Sequence, residues 1–131
     1  MSERAPLVYV DVSDVRDGAL EELKNAFDRL VEFVRTNVPG ALFYGVYLSK
    51  DGRRVTVVHA HRDSRSLEHH LEVGAEAFRS FADLLHLTSI RVYGEPSEKA
   101  LDLIGRKAEA LGCDDVAVHG PHAGFGRFGA G

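Results

Sequence analysis

The chain has 131 residues, 44% of them apolar and 27% charged, which suits one globular domain with room for a hydrophobic core. Sixteen Lys and Arg against twenty Asp and Glu leave a formal charge of -4, which argues against a nucleic-acid binder that must neutralise phosphates with a basic face. The single cysteine, Cys113, excludes an internal disulfide and a zinc site built on thiolates, and no segment approaches the roughly 18 apolar residues of a membrane span.

The opening MSERAPLVYV has no apolar run long enough for a signal peptide, so the expected setting is the cytoplasm, with no membrane partner. PLVYVDV, Pro6 to Val12, is short and β-branched and predicts a strand. SDVRDG breaks it. A helix is then predicted from apolar residues at Leu20, Leu23, Phe27, Leu30, Val31 and Val34, with Asp17 as its cap and Pro39-Gly40 as its stop. Two strands follow, Ala41 to Ser49 and Arg54 to His61, joined by a turn at Asp51-Gly52. Leu67, Leu71, Ala75, Phe78, Ala82 and Leu85 stand at helical spacing, and Asp63 or Ser64 would cap that helix. Leu87 to Gly94 is a fourth strand. A third helix, capped by Ser97 and ended by Gly112, carries Leu101, Ile104, Ala108 and Leu111. The remainder, CDDVAVHGPHAGFGRFGAG, holds at most one short strand before a glycine-rich tail.

The order β-α-β-β-α-β is the split pattern of ferredoxin-like α+β folds, with helices on one face of an antiparallel four-stranded sheet. The expected organisation is a domain over residues 1–112, third helix included, and an extension over 113–131. The other sheet face then has to meet solvent, a ligand or a second subunit. If the more aliphatic side of each strand packs on the helices, the core takes Val8, Val10, Val12, Leu42, Val46, Leu48, Thr56, Val58, Ala60, Ile90 and Val92. The open face would carry Tyr9, Asp11, Phe43, Tyr47, Val55, Val57, His59, His61, Arg91 and Tyr93. Such a face predicts a homodimer enclosing a partly polar cavity.

Four of the seven histidines fall in VVHAHRDSRSLEHHLEVG. His59 and His61 share a strand face, His70 sits at the edge of a helix stripe, and His69 points to water. HAHRDS resembles the H-x-H-x-D metal motif of hydrolases, but Ser64 stands where a histidine is needed, so partly buried, hydrogen-bonded histidines are expected there and no metal. GFGRFG matches a dinucleotide-binding pattern in letters only, because no helix can follow it; Phe125 and Phe128 read instead as anchors for an arm on a partner subunit. The third strand lacks the aromatics of an RNA-recognition domain. No G-x-S-x-G elbow is present, and Cys113 has no cationic neighbour in sequence to activate it.

The run VTVVHAHRDSRSLEHHLEV, followed by SIRVYGEPSEKALDLI, resembles the antibiotic-biosynthesis-monooxygenase-like proteins of the dimeric α/β-barrel superfamily. The resemblance covers residues 6 to 105, and SLEHHL places His70 in register with the family's helix histidine. It implies a homodimer whose sheets close into a barrel around a small-molecule pocket. It also implies oxidation of quinols or aromatics by O2 without a cofactor, or haem degradation. The chain departs from the family in having no tryptophan, and its only asparagines, Asn25 and Asn37, lie on the first helix, which speaks against haem chemistry. The expected function is therefore a cofactor-independent monooxygenase-like reaction on a small aromatic or quinol. His70 is the first candidate base and His59 the second. Tyr9, Phe43, Tyr47, His61 and Arg91 are the candidate substrate contacts, Arg91 as a phenolate partner or else paired with Asp11. The alternative is a non-catalytic dimeric module that binds a small ligand or serves a stress response with the same fold.

Overall fold

The computed structural model describes residues 6–127. Its elements are β1 (Leu7–Val15), α1 (Leu20–Asn37), β2 (Ala41–Leu48), β3 (Arg54–His61), α2 (Ser64–Val73), α3 (Ala75–Ser80), a 3-10 turn (Phe81–Asp83), β4 (Leu85–Tyr93), α4 (Glu98–Ala110) and β5 (Val116–His119). The fold is α+β and ferredoxin-like, but its sheet has five strands in the order β2-β3-β1-β4-β5 rather than four. β5 pairs with β4 in parallel, so the sheet is mixed. The remaining neighbours are antiparallel, with β1 at the centre between β3 and β4. Among the described residues no helix is long and apolar enough to cross a membrane.

The strand faces are the reverse of the aliphatic-inward expectation along β1 and β3. Leu7, Tyr9, Asp11 and Ser13 are buried on β1, and Val55, Val57, His59 and His61 on β3. These side chains lie under the helices, where the apolar ones share one core with Leu23 and Phe27 of α1, Leu67 of α2 and Ile104 of α4. Val8, Val10, Val12, Thr56 and Val58 face the uncovered side and are only partly buried. Register explains why both assignments could not hold together. Tyr9 pairs with Val92 and Asp11 with Ile90, so once Ile90 and Val92 are core, Tyr9 and Asp11 must be core as well. Val10 pairs with Arg91 and Val8 with Tyr93, which puts Arg91 and Tyr93 on the open face.

The expected long helix through Leu85 is broken at Gly74, which separates α2 from α3, and Leu85 opens β4. A side chain at Gly74 would begin 2.7 Å from the Phe78 ring and 3.0 Å from the His70 carbonyl oxygen. The missing Cβ is what lets Phe78 fold back toward His70. Asp17 does not cap α1; the chain turns through Gly18 at φ 77°, and Ala19 occupies the cap position without a side-chain bond. Asp63 and Ser97 do cap, accepting from the Ser66 and Ala100 amides. The expected anchor Phe125 is 81% exposed, with the Arg127 guanidinium over its ring, and Phe128 lies outside the described residues.

Ser97 also joins two helices. Its hydroxyl donates to Glu68 at 2.6 Å and its amide donates to the Ser64 hydroxyl at 2.8 Å, tying the start of α4 to α2. Replacing Ser97 by Ala removes a cap and one end of this tie. The expected loss is about 1 kcal/mol, read as a lower urea midpoint at unchanged slope.

Candidate functional site

β1, β3, α2 and α4 converge on one buried group of polar side chains. His59 and His61 point inward from alternate positions of β3, and His70 meets them from α2. All three are 0% exposed. His59 Nδ1 lies 2.7 Å from His61 Nε2, and His61 Nδ1 lies 2.8 Å from Ser66 Oγ. The His70 ring stands 4.8 Å from His59 and 5.3 Å from His61, centroid to centroid. Aromatic rings enclose the group. Tyr9 lies 4.3 Å from His59, Tyr44 4.9 Å from His59, and Phe78 5.4 Å from His70.

A charged pair closes the inner side. Lys107 of α4 donates to Asp11 at 3.1 Å, and each side chain is only 8% exposed. The Lys107 ammonium also lies 4.4 Å from the centre of the Phe78 ring and 4.7 Å from that of Tyr9, so ring faces and a carboxylate together replace its water shell. A cavity of about 20 Å³ adjoins the pair, lined in part by Asp11, Tyr44, Phe78 and Lys107. That volume holds a single water molecule.

Burial fixes the protonation states. Desolvation, with repulsion from the neighbouring histidines and Lys107, holds His59 well below the usual imidazole range. Desolvation, then the Lys107 charge, does the same for His70. Desolvation brings His61 down to about 4 against a smaller opposing pull from Asp63. The Tyr9 phenol is pushed far up by burial and then by the Asp11 carboxylate, and burial raises Tyr44 as well. Near neutral pH the site thus holds three uncharged imidazoles and two uncharged phenols beside one ion pair. Tyr9 Oη, His59 Nε2 and both ring nitrogens of His70 are buried with no hydrogen-bond partner. Each such atom costs about 1–3 kcal/mol. All four lie in this one group, which makes it the candidate site of the chain.

Of the residues singled out from sequence, His59, His61, His70 and Tyr9 come together here. Phe43, Tyr47 and Arg91 do not. Phe43 and Tyr47 are 45% and 52% exposed on the opposite sheet face. Arg91 also faces that side and pairs with Asp115 at 3.0 Å, not with Asp11, which Lys107 holds from under the sheet. Tyr44, Ser66, Phe78 and Lys107 were not singled out. A signal for Lys107 existed, since it falls within the apolar stripe Ala100, Ile104, Ala108 and Leu111 of α4. His69 is exposed as expected, its Nε2 2.9 Å from the Asn37 carbonyl oxygen. Among the described residues no three His, Cys, Asp or Glu side chains are arranged to hold a metal ion.

The depressed imidazoles make folding stability sensitive to acid. Well above pH 6.5 they are neutral in both the folded and unfolded chain and contribute no pH dependence. Below 6.5 the unfolded chain takes up protons that the folded chain refuses, so stability falls as pH falls, for His61 down to about 4. The expected slope is up to about 1.4 kcal/mol per pH unit for each histidine fully titrating when unfolded. Urea midpoints between pH 7 and 5 check this, and His59→Phe should flatten the slope by one histidine's share.

A sequence profile of the antibiotic biosynthesis monooxygenase family matches residues 7–84. No curated protein matches the chain. Among solved structures, MupZ from Pseudomonas fluorescens superposes with a TM-score of 0.73 at 17% identity, covering 97% of this chain and 93% of that one. A conserved protein from Methanosarcina mazei Go1 gives 0.63 at 22% identity, with 69% and 92% covered. Rv0793 from Mycobacterium tuberculosis gives 0.61 at 19% identity, with 72% and 98% covered. The last two match about seven tenths of the chain, whereas the MupZ match takes in nearly all of it. At these identities the likeness establishes fold alone. The profile spans β1 through the 3-10 turn, and thus all three buried histidines, so the chain belongs to the antibiotic biosynthesis monooxygenase family.

Proposed function

We propose that this protein is a cofactor-independent monooxygenase-like enzyme acting on a small aromatic or quinol between the sheet and the helices. The single observation that supports this reading is the set of unpaired imidazole nitrogens on His59 and His70, buried among rings and held neutral. A neutral imidazole in a dry pocket accepts a proton from a phenolic hydroxyl. The Lys107 ammonium stands beside the same rings and would offset the negative charge left on the substrate oxygen. An electron-rich hydroquinone anion reacts with O2, and the balance closes without a cofactor. One hydroquinone and one O2 give one hydroxyquinone and one water.

The cavity admits no ring as it stands, so a substrate has to displace a side chain. Phe78 and Phe81, on the short α3 and 3-10 segments that line it, are the candidates. The same tightness favours the second reading, a non-catalytic module for a small ligand. Oxygen uptake separates the two. With a hydroquinone panel the wild type should consume O2 above background, and His59→Gln and His70→Ala should each lower the rate by on the order of a hundredfold. Tight binding without uptake would favour the module, and neither binding nor uptake would remove both readings.

The open face supports association of two copies. Val8, Val10, Val12 and Val58 are flanked there by Phe43, Tyr47 and Tyr93, an apolar sheet surface without helical cover. Phe43, Tyr47 and Arg91 belong to that contact in this reading rather than to the substrate pocket. Sedimentation should give twice the chain mass for the wild type and single chains for Val10→Lys. A monomeric wild type at working concentration would remove the dimer.

A further inference from the structure

We infer that His59, His61 and Ser66 form a proton relay linking the buried site to water, an extension of the base role proposed above that rests on that reading. Three features support it. First, each imidazole uses opposite ring edges, so the contacts run in series. His59 Nδ1 meets His61 Nε2 at 2.7 Å, and His61 Nδ1 meets Ser66 Oγ at 2.8 Å. Second, the two ends differ. The inner end is His59 Nε2, buried and without a partner, while Ser66 at the outer end is partly exposed on the first turn of α2. Third, the outer end is held from outside the helix. The Gly40 carbonyl accepts from the Arg62 amide at 2.9 Å, which fixes Gly40 against the hydroxyl, and a Cβ there would lie 2.6 Å from Ser66 Oγ. Only glycine leaves the hydroxyl its room.

The transfer balances. A substrate proton binds His59 Nε2, and the proton on His59 Nδ1 passes to His61 Nε2. The proton on His61 Nδ1 passes to Ser66 Oγ, whose own proton leaves to water. Both rings end neutral with their tautomers exchanged, and the one charge added to the core is that of the substrate anion beside the Lys107 ammonium. When the reduced oxygen atom departs as water it takes a proton back from His59 Nε2. The chain of transfers then runs in reverse and restores the starting state. His70 has no hydrogen-bond partner on either nitrogen and stands outside the relay. The charged groups nearest its ends are the Lys107–Asp11 pair inside and the Asp63 carboxylate outside, the latter accepting from the Ser66 amide at 2.9 Å. In these terms His61 and Ser66 are positioning residues, and of the three relay residues only His59 meets the substrate.

The test needs no substrate for its first arm. Two-bond proton–nitrogen spectra of histidine-labelled protein should show His59 and His61 in the same tautomer, because a series of donors allows only that. Exchange of their ring protons with water should slow by at least about tenfold in Ser66→Ala and recover in Ser66→Thr. Should Ser66→Ala fail to fold, Gly40→Ala, which crowds the same hydroxyl, should slow exchange in the same way. In the second arm, oxygen uptake with hydroquinone should fall alongside exchange. Opposite tautomers, or exchange unchanged in the variant that folds, would overturn the relay. If the wild type consumes no oxygen, the enzymatic reading fails, and the relay stands or falls on tautomer and exchange alone.

Discussion

Two imidazoles 2.7 Å apart in a dry core impose a charge rule on everything around them. Their hydrogen bond needs an N–H on one ring and a lone pair on the other, so the rings cannot both be protonated. An added proton would also be a third charge beside an ion pair already stripped of water. The structure meets the rule by separating duties. Lys107 and Asp11 hold the charges and neutralise each other, and the histidines stay neutral. The phenols of Tyr9 and Tyr44 follow the same logic, since ionising either would bring a second anion near Asp11. What remains is a pocket that is polar in its atoms and almost uncharged in sum, a suitable setting for moving protons.

The scaffold around this group comes from two parts of the chain. Residues 7–84, the family-matched part, supply the histidines and the aromatic wall. The cation comes from α4, beyond that part. Its placement depends on contacts that bind α4 to α2: the Ser97 hydrogen bonds to Ser64 and Glu68, and the Lys99–Glu72 ion pair at 3.3 Å. The ion pair is exposed and adds little energy. The hydrogen bonds at Ser97 also cap the helix, so one residue sets both where α4 begins and how it rests on α2. The helix that looks like an appendage in the sequence is therefore part of the site.

The element order was legible because apolar spacing and turn residues are local signals. Asp51 closes its turn as expected, accepting from the Ser49 hydroxyl and the Arg53 amide. The helix break at Gly74 was less legible, because the apolar spacing runs on through it to Phe78, whose ring packs where a side chain at Gly74 would stand. The sheet faces went the wrong way for a reason that generalises. Hydrophobicity predicts burial when polar side chains lack partners, and here Asp11, His59 and His61 find theirs on α4, on β3 itself and on α2. Alternation showed that Tyr9, Asp11, His59 and His61 belong together within their strands. It could not say which side of the sheet the helices take.

That inversion changes what the proposed pairing of two copies would be for. With the aromatic and histidine face outward, a cavity would exist only where two sheets met, and chemistry would depend on association. With that face under the helices, every polar group of the site comes from one chain, and the open face carries valines, Phe43, Tyr47 and Tyr93 with Thr56 and the Arg91–Asp115 pair. Pairing of two copies then becomes a matter of covering apolar surface, separable from proton transfer. The strands between them still link the two. Val58 faces out between Val57 and His59 facing in, so a load on the open side reaches the histidines through a single strand.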